Sequence, residues 1–439
     1  MNMTLRKRER TTVWIIVLFY CFYTYFFSAA FIVNIPMYGN LIIIANLLIC
    51  AFVLPYAIKF HKDIVSRQVW ILCSLFFFAL IWGWLYWGES IYYGLKATFK
   101  AQGVFTLLFF FIYKKYQVSY NVVIRVIFTI AIIYSICYLI GSITFPNQIF
   151  GASLILEDTV MEKTLEDRGV LRLLMQGADF IVIAIFYLLV YYRKKKIYYL
   201  WLIPLFVMLV FRGTRTPLFV TMLICLVYYL RNIKNKFISV SLLIVAVLSY
   251  TTINSALLNS NSENPIVKYV QITSSQIENN NAGVEDIRVQ MSKYMLTELN
   301  ADNPICIFIG NGIPGHGKFQ SRLTALENNK AFWVVDVGLI VIYVYFGIVG
   351  IIIYIGLLIM IIRLRIDTKY YFAKLYLFYL YLILPTNCSL ITLSSFMVAL
   401  TLYVLYLGNK ETTLNRMIHE TKLRTNKSCE LFSQYKGQN

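Results

Sequence analysis

The sequence predicts an all-α fold: a polytopic integral membrane protein with about twelve transmembrane helices and one large extracytoplasmic loop late in the chain. Of its 439 residues, 59% are hydrophobic and only 14% are charged. Apolar runs of about twenty residues recur along nearly the whole chain, and each is long enough to cross the hydrocarbon core as a helix. Basic residues are concentrated in every second connection between these runs, which is typical of cytoplasmic loops.

Twelve apolar runs are expected to form the spans. One such run fits the core of a large soluble protein, but twelve do not. The first run is too long for a cleavable signal peptide, and no small-x-small cleavage site follows it. The expected spans lie near residues 13–33, 40–58, 69–88, 97–113, 121–144, 174–192, 197–211, 216–230, 237–257, 347–362, 370–386 and 389–407.

The formal net charge of +19 is explained by membrane topology, so no nucleic-acid partner is expected. Seven segments on one side hold 26 of the 40 Lys and Arg residues but only 6 of the 21 acidic residues. The positive-inside rule places these segments, and therefore both termini, in the cytoplasm. The segments are Arg6–Arg10, 59–67, Lys114–Lys115, Arg193–Lys196, Arg231–Lys236, Arg363–Lys374 and the tail after residue 409.

The cysteine and histidine patterns indicate neither a disulfide framework nor a metal site, and no cofactor is expected. Most of the eight cysteines lie inside apolar runs, and no CxxC spacing occurs. Two of the three histidines, His61 and His419, fall on the cytoplasmic side, which leaves no histidine cluster for a metal.

Two outer connections are long, and they divide the chain. Residues 1–257 contain nine expected helices and the outer loop 145–173, and residues 258–331 form the large extracytoplasmic loop. Residues 332–408 contain an interfacial segment and the last three spans, and residues 409–439 form a basic cytoplasmic tail. Loops of this length are usually functional or disordered. In the large loop, "VEDIRVQMSKYMLTEL" has apolar residues at helical spacing, which predicts an amphipathic helix.

The stretch "GNGIPGHGKF" at residues 310–319 contains patterns of two nucleotide-binding loops, but its context excludes both. It fits G-x-G-x-x-G and most of G-x-x-x-x-G-K. The residue after Lys318 is Phe319, where magnesium binding needs Ser or Thr, and the loop has no room for a βαβ unit. Two interpretations remain open: a turn whose backbone approaches a partner closely, or a tight structural turn.

Five arginines on the outer side are candidate ligands for phosphate, because the planar guanidinium suits phosphate geometry. They are Arg168, Arg172, Arg212, Arg215 and Arg288. The alternative for each is an anchor at the membrane interface. The first two also have acidic neighbours in the sequence. The hairpin of Arg212 and Arg215 breaks the positive-inside rule and has no acid nearby in sequence, which favours an anionic ligand such as a lipid-linked diphosphate.

Three segments resemble the Wzy-type O-antigen polymerase and O-antigen ligase superfamily. "RGTRTPLFV" after a span is similar to its small-Thr/Ser-Arg-small turn, and "FWVVDVGLIVIYVYFGIVGIII" resembles the segment after its large outer loop. Arg288 ahead of "IGNG" fits its pattern of an arginine helix followed by a glycine turn. The resemblance covers about residues 165–365, and the number of spans and the late loop agree with it.

The resemblance implies a metal-independent glycosyltransferase in the bacterial inner membrane. Such an enzyme polymerises undecaprenyl-diphosphate-linked oligosaccharide repeat units into O-antigen or capsular polysaccharide or exopolysaccharide on the outer leaflet. Such an enzyme is embedded in the lipid bilayer, and a flippase and a chain-length regulator are its candidate partners. The reaction needs neutralisation of the leaving diphosphate, for which the outer arginines are suited, and a base for the attacking hydroxyl.

Asp336 is the first candidate for the base, and His316, the only outward histidine, is the second. Ligases of the superfamily resemble H-N-x-x-L beginning eleven residues before the first glycine of Gly-x-x-Gly, and here Asp336 occupies that position, counted back from Gly347. This departure favours a polymerase over a ligase. The alternative role of Asp336 is a carboxylate at a helix start.

Two other classes of function stay open. A flippase or transporter for lipid-linked oligosaccharides is also basic and has about twelve spans, but it would not need the large outer loop and would place charges along a central cavity. A membrane scaffold is the third possibility.

Overall fold

The computed structural model describes residues 2–24, 38–60, 62–96, 98–144, 175, 177–191, 199–212, 215–231, 286–391 and 395–436. Within these ranges all regular secondary structure is helical. The predicted all-α class is therefore confirmed for the part of the chain that the structure describes.

The helices follow the apolar runs of the sequence closely. They are α1 (Asn2–Tyr23), α2 (Tyr38–Phe60), α3 (Ile64–Trp87), α4 (Ile91–Lys96), α5 (Thr98–Lys115), α6 (Tyr120–Ile143), α7 (Ala178–Tyr191), α8 (Tyr199–Phe211), α9 (Arg215–Arg231), α10 (Ile287–Thr297), α11 (Pro304–Ile309), α12 (Lys318–Lys330), α13 (Gly338–Arg363), α14 (Tyr371–Ile383) and α15 (Ser395–Lys436). Short 3-10 turns, Val334–Asp336 and Thr368–Tyr370, precede α13 and α14.

Four of the described helices are long and apolar enough to cross a membrane: α2, α3, α6 and α13. Three shorter apolar helices, α7, α8 and α9, accompany them. The predicted span 237–257, the predicted loop 145–173 and residues 258–285 of the large loop lie outside the described residues. The number of twelve crossings and the full extent of the large loop therefore stay predictions.

The expected start of a span at Gly347 coincides with a break in helix α13. The helix runs from Gly338 for 26 residues, but Gly347, whose φ of 63° and ψ of −160° are not helical, divides it into two helical segments. A Cβ atom at Gly347 would collide with the backbone of Phe308, so only glycine fits there. The apolar residues before Gly347 are also helical, so the whole element is longer than the predicted span 347–362.

The tail also differs from expectation, because the last predicted span and the basic tail form one continuous helix. Helix α15 runs for 42 residues from Ser395 to Lys436. Its first part is buried in the bundle, and the described side chains after Lys410 are largely exposed. Good helix formers such as Lys, Glu and Leu continue through the polar part, so nothing in the sequence ends the helix there.

Segments predicted to share the cytoplasmic side do meet at one end of the bundle, here called the basic end. Lys114 binds Asp63, the N-cap of α3, and Arg125 lies 3.4 Å from Glu9. Lys369 forms an ion pair with Glu411 at 2.6 Å, which joins the α13–α14 connection to α15. Similar contacts tie the loop before α6 and the end of α9 to the same connection.

Polar contacts also define the opposite end, here called the loop end. The Tyr92 hydroxyl donates to Asn40 at 2.8 Å, and the Tyr86 hydroxyl donates to Asn303 at the same distance. The backbone N–H of Gly338 donates to the carbonyl of Leu384 at 2.8 Å. The end of α3 and the starts of α2, α11 and α13 therefore lie together at this end, and the candidate site residues are found here.

Candidate functional site

The glycine stretch at residues 310–317 closes against α13 where that helix is broken. The N–H of Asn311 donates to the carbonyl of Val344 at 2.9 Å, and the N–H of Gly312 donates to Tyr345 at 3.1 Å. The side-chain amide of Asn311 adds a bond to Val344 at 3.0 Å. The kink at Gly347 interrupts the helical hydrogen bonds that would use these carbonyls, so the stretch satisfies them instead.

The same stretch reaches below the end of α3. The N–H of Ile313 donates to the carbonyl of Ala79 at 3.2 Å, and Ala79 lies eight residues before the last residue of α3, Trp87. At 1.5 Å per residue, this contact lies about 12 Å inside the bundle. Gly312 has a φ of 82°, and a Cβ there would lie 2.5 Å from the Ala79 oxygen. Irregular backbone at this depth is stable because it is buried in protein.

The end of this stretch and the first residues of α12 bind an internal anion, the carboxylate of Glu89. Its Oε2 accepts the N–H groups of Gly315 and Gly317, and its Oε1 accepts those of Phe319 at 2.8 Å and Gln320 at 3.0 Å. Glu89 is 2% exposed. A carboxylate at the N-terminus of α12 stabilises the free N–H groups there. The glycine motif thus forms a turn whose backbone packs closely on α3, and Glu89 accepts the N–H groups that would bind a phosphate in a nucleotide-binding loop.

Arg212 lies at the end of α8 in surroundings rich in tyrosine. Electrostatic interactions connect it with Tyr134 and Tyr138 of α6, Tyr379 of α14 and Asp179 of α7. The Tyr138 hydroxyl also donates to the carbonyl of Phe211, at 3.3 Å, which fixes the end of α8 against α6. Arg212 is half-buried, and the tyrosines around it are buried. The arginine is thus drawn into the bundle toward the loop end.

The Arg212 hairpin has no acid nearby in sequence, but the fold brings Asp179 toward it. Asp179 stands in the first turn of α7, distant in sequence but within electrostatic reach of Arg212. Helix α9 begins at Arg215, so the free N–H groups of its first turn follow Arg212 closely in the chain. This region therefore combines a carboxylate, a guanidinium and a helix N-terminus. We call it the Arg212 cluster, and its members are Arg212, Asp179, Tyr134, Tyr138, Tyr379 and the first turn of α9.

Tyr134 gives this cluster an unused hydrogen-bond donor. Its side chain is fully buried, and its hydroxyl has no hydrogen-bond partner among the residues that the structure describes. Gly177, with a φ of 116°, packs directly on the Tyr134 ring, where a Cβ would lie 3.0 Å from a ring carbon. A buried hydroxyl without a partner is costly, so an oxygen atom of a ligand at this position would be stabilising.

The remaining predicted site residues lie elsewhere at the loop end. Arg288 is exposed on α10, whose N-cap is Asp286. His316 is exposed near the end of the glycine stretch and has a φ of 66°. Its ring centroid lies 4.2 Å from that of Tyr93. Asp336 is exposed in the 3-10 turn before α13 and is not partly desolvated.

The structure does not join these residues into one constellation. Among the described side chains, no hydrogen bond or ion pair connects Arg212, Arg288, His316 and Asp336. Arg168 and Arg172 lie outside the described residues, and only the backbone of Arg215 is described. Within the described ranges no three His, Cys, Asp or Glu side chains are grouped to hold a metal ion.

Sequence analysis missed Glu89 and Tyr134 as residues of interest. Glu89 had one signal, since it is an acid directly after a long apolar run. Tyr134 had none, because tyrosine is frequent throughout this chain. Asp179 could have been found as a carboxylate at the edge of an apolar helix, since ionisable groups there usually have a partner. A scan against protein-family models and a search of curated protein sequences both found no match to this chain.

Proposed function

We propose that the protein is a membrane glycosyltransferase that polymerises undecaprenyl-diphosphate-linked oligosaccharide repeat units into O-antigen, capsular polysaccharide or exopolysaccharide. In this proposal the loop end faces the outside of the bacterial inner membrane, and both termini are cytoplasmic. The supporting observation is the Arg212 cluster, which combines a half-buried guanidinium with a buried, unpartnered phenol at one end of an apolar bundle. A cation in such a position is suited to a lipid-linked diphosphate.

The reaction assigns a role to each group of the cluster. The acceptor hydroxyl attacks the anomeric carbon of the donor, the bond from that carbon to the diphosphate oxygen breaks, and the lipid diphosphate leaves. Arg212 neutralises the negative charge that grows on the leaving diphosphate, and the first turn of α9 supplies further N–H donors. The Tyr134 hydroxyl donates to a diphosphate or sugar oxygen. Asp179 holds the guanidinium in place by its opposite charge.

Asp336 remains the first candidate for the general base, and His316 remains the second. Asp336 is exposed and forms no ion pair with any described residue, so an acceptor hydroxyl can reach it. His316 is also exposed, but its ring lies against Tyr93. Because the hydroxyl that the base deprotonates must attack the carbon bonded to the diphosphate, the proposed mechanism requires the base and the Arg212 cluster to contact the same donor sugar.

Apart from Arg212 and Asp179 at the loop end, the charges inside the bundle favour an enzyme over a flippase. The buried charged side chains in the described part of the chain are Glu89 and Lys374. Glu89 accepts four N–H groups, and the Lys374 ammonium donates to the carbonyls of Ile362 and Leu364. Both charges therefore bind the protein's own backbone, whereas a carrier needs charges that are available along the path of its anionic cargo.

The test is polymerisation of a defined lipid-linked repeat unit by the purified protein in lipid nanodiscs. Arg212→Ala should abolish chain extension, and Arg212→Lys should rescue it poorly, because a point charge cannot form two parallel bonds to a diphosphate. Lys293→Ala is the matched control, since it removes an exposed cation on α10 at the same end. Normal polymer from Arg212→Ala would refute the proposed role of the cluster.

A deletion strain separates the proposed function from the alternative. Accumulation of single repeat units on the lipid at the outer leaflet indicates a polymerase. Loss of outward-facing lipid-linked units indicates a flippase and would overturn the proposal.

A further inference from the structure

A cavity of about 750 Å³ lies at the basic end, between α1 and the connection from α5 to α6. It is far in the fold from the Arg212 cluster, whose tyrosines Tyr134 and Tyr138 lie toward the other end of α6. Its polar residues include Arg8 and Thr12 of α1 and Lys115, Gln117 and Ser119 of the connection. Its lining therefore offers cationic and hydroxyl groups on one side.

The other side of the cavity is apolar and opens toward the surface of the bundle. It is formed by Ile15 and Ile16 of α1, Ile112 of α5 and Val122 of α6. Ile15 is 61% exposed, so this side is continuous with the apolar surface of α1. A polar rim above an apolar floor of this kind suits a molecule with a charged head and a hydrocarbon chain.

The charges of the cavity are available to an anion. Neither Arg8 nor Lys115 forms an ion pair within the described part of the chain, and the Lys115 ammonium lies 3.6 Å from the ring centroid of Tyr56. The one acid in the lining, Glu9, lies 3.4 Å from Arg125 and accepts from the Ser119 hydroxyl at 3.2 Å. Its charge is thus compensated.

We propose that this cavity binds an anionic glycerophospholipid. The phosphate lies between Arg8 and Lys115, and an acyl chain follows the apolar floor. The open apolar side favours a lipid over a soluble phosphate, which would leave that floor exposed. Juxtamembrane basic residues attract anionic lipids electrostatically. The site does not depend on the proposed glycosyltransferase activity.

The experiment uses the full-length protein, purified in detergent and washed free of lipid. Thermal unfolding and native mass spectrometry measure binding of phosphatidylglycerol, with phosphatidylcholine, inorganic phosphate and glycerol 3-phosphate as separate probes. The test variant is Arg8→Ala/Lys115→Ala. Its control is Arg10→Ala/Lys62→Ala, which removes the same charge from exposed residues near the same end that do not line the cavity.

We expect phosphatidylglycerol to stabilise the protein more than phosphatidylcholine does, and the test variant to bind it about tenfold more weakly than the control variant. Equal weakening in the test and control variants would overturn the site. Equal stabilisation by inorganic phosphate or glycerol 3-phosphate would overturn its assignment to a lipid.

Discussion

The carboxylate of Glu89 accepts the backbone N–H of Phe319 at 2.8 Å, across 230 residues of sequence. With its three other N–H donors, this bond fixes the start of α12 to the end of α3. Glu89 directly follows the third predicted span, and Phe319 lies in the large loop. An acid that follows an apolar helix thus performs the role that a bound phosphate has in nucleotide enzymes.

Glu89→Gln is expected to destabilise the protein by about 3 kcal/mol, since the amide nitrogen cannot accept and leaves buried N–H groups unsatisfied. Thermal unfolding in detergent measures the loss, and cleavage between residues 310 and 317 by a protease should become faster. Asp302→Asn, at an exposed position of the same loop, should leave both unchanged. Equal stability of the Gln variant would mean that the four bonds contribute nothing.

Gly312→Ala should be poorly tolerated. The residue has a φ of 82°, and the added Cβ would lie 2.5 Å from the Ala79 carbonyl oxygen, which belongs to a rigid helix. We expect a loss of about 2–4 kcal/mol from steric overlap and backbone strain. Gly356→Ala is the control, because its Cβ would meet only the Gln68 side chain, at 3.8 Å. A Gly312 variant as stable as the Gly356 variant would contradict the packing described here.

Asp336→Asn tests the general base of the proposed reaction. The variant keeps size and polarity at an exposed position, so it should fold normally, and it should polymerise about 10²–10⁴-fold more slowly. Initial rates with a lipid-linked repeat unit are measured beside binding of that substrate, which should change little. His316→Ala should lower the polymerisation rate less than Asp336→Asn does. If the Asn variant is fully active and the His316 variant is inactive, the two roles are reversed.

Glu411 should make a small, pH-dependent contribution to stability. The hydrogen bond from Lys369, and next that from Tyr370, lower the pKa of the Glu411 carboxyl below its usual value. Its contribution is therefore present above the usual pKa of a glutamate and is lost as the pH falls through the lower pKa of the folded state. Because both partners are more than a third exposed, we expect at most about 1 kcal/mol.

Comparing the melting temperatures of the unchanged protein and Glu411→Gln at pH 7 and at pH 3 checks this prediction. The small difference at pH 7 should disappear at pH 3. A difference that grows toward acid pH would have the wrong sign for this ion pair.

The helix positions could be predicted because length and apolar content are local properties of the chain. The run predicted at 121–144 is α6, Tyr120–Ile143, and the run at 40–58 is α2, Tyr38–Phe60. The break of α13 at Gly347 could be placed from the glycines, but its contact with the backbone of Phe308 could not, because a distant part of the chain supplies that contact. Nor could the surroundings of Arg212 be predicted, since they come from three other helices.

The contacts of the glycine stretch also set an order of assembly. Asn311 and Gly312 donate to carbonyls of Val344 and Tyr345, which leave the ribosome after them, and Ile313 donates to Ala79, which was made long before. The stretch can reach its final position only when α3 is already in place and α13 has followed. Contacts so distant in sequence form slowly. Docking of residues 310–317 is therefore expected to be a late, post-insertional step in the biogenesis of this protein.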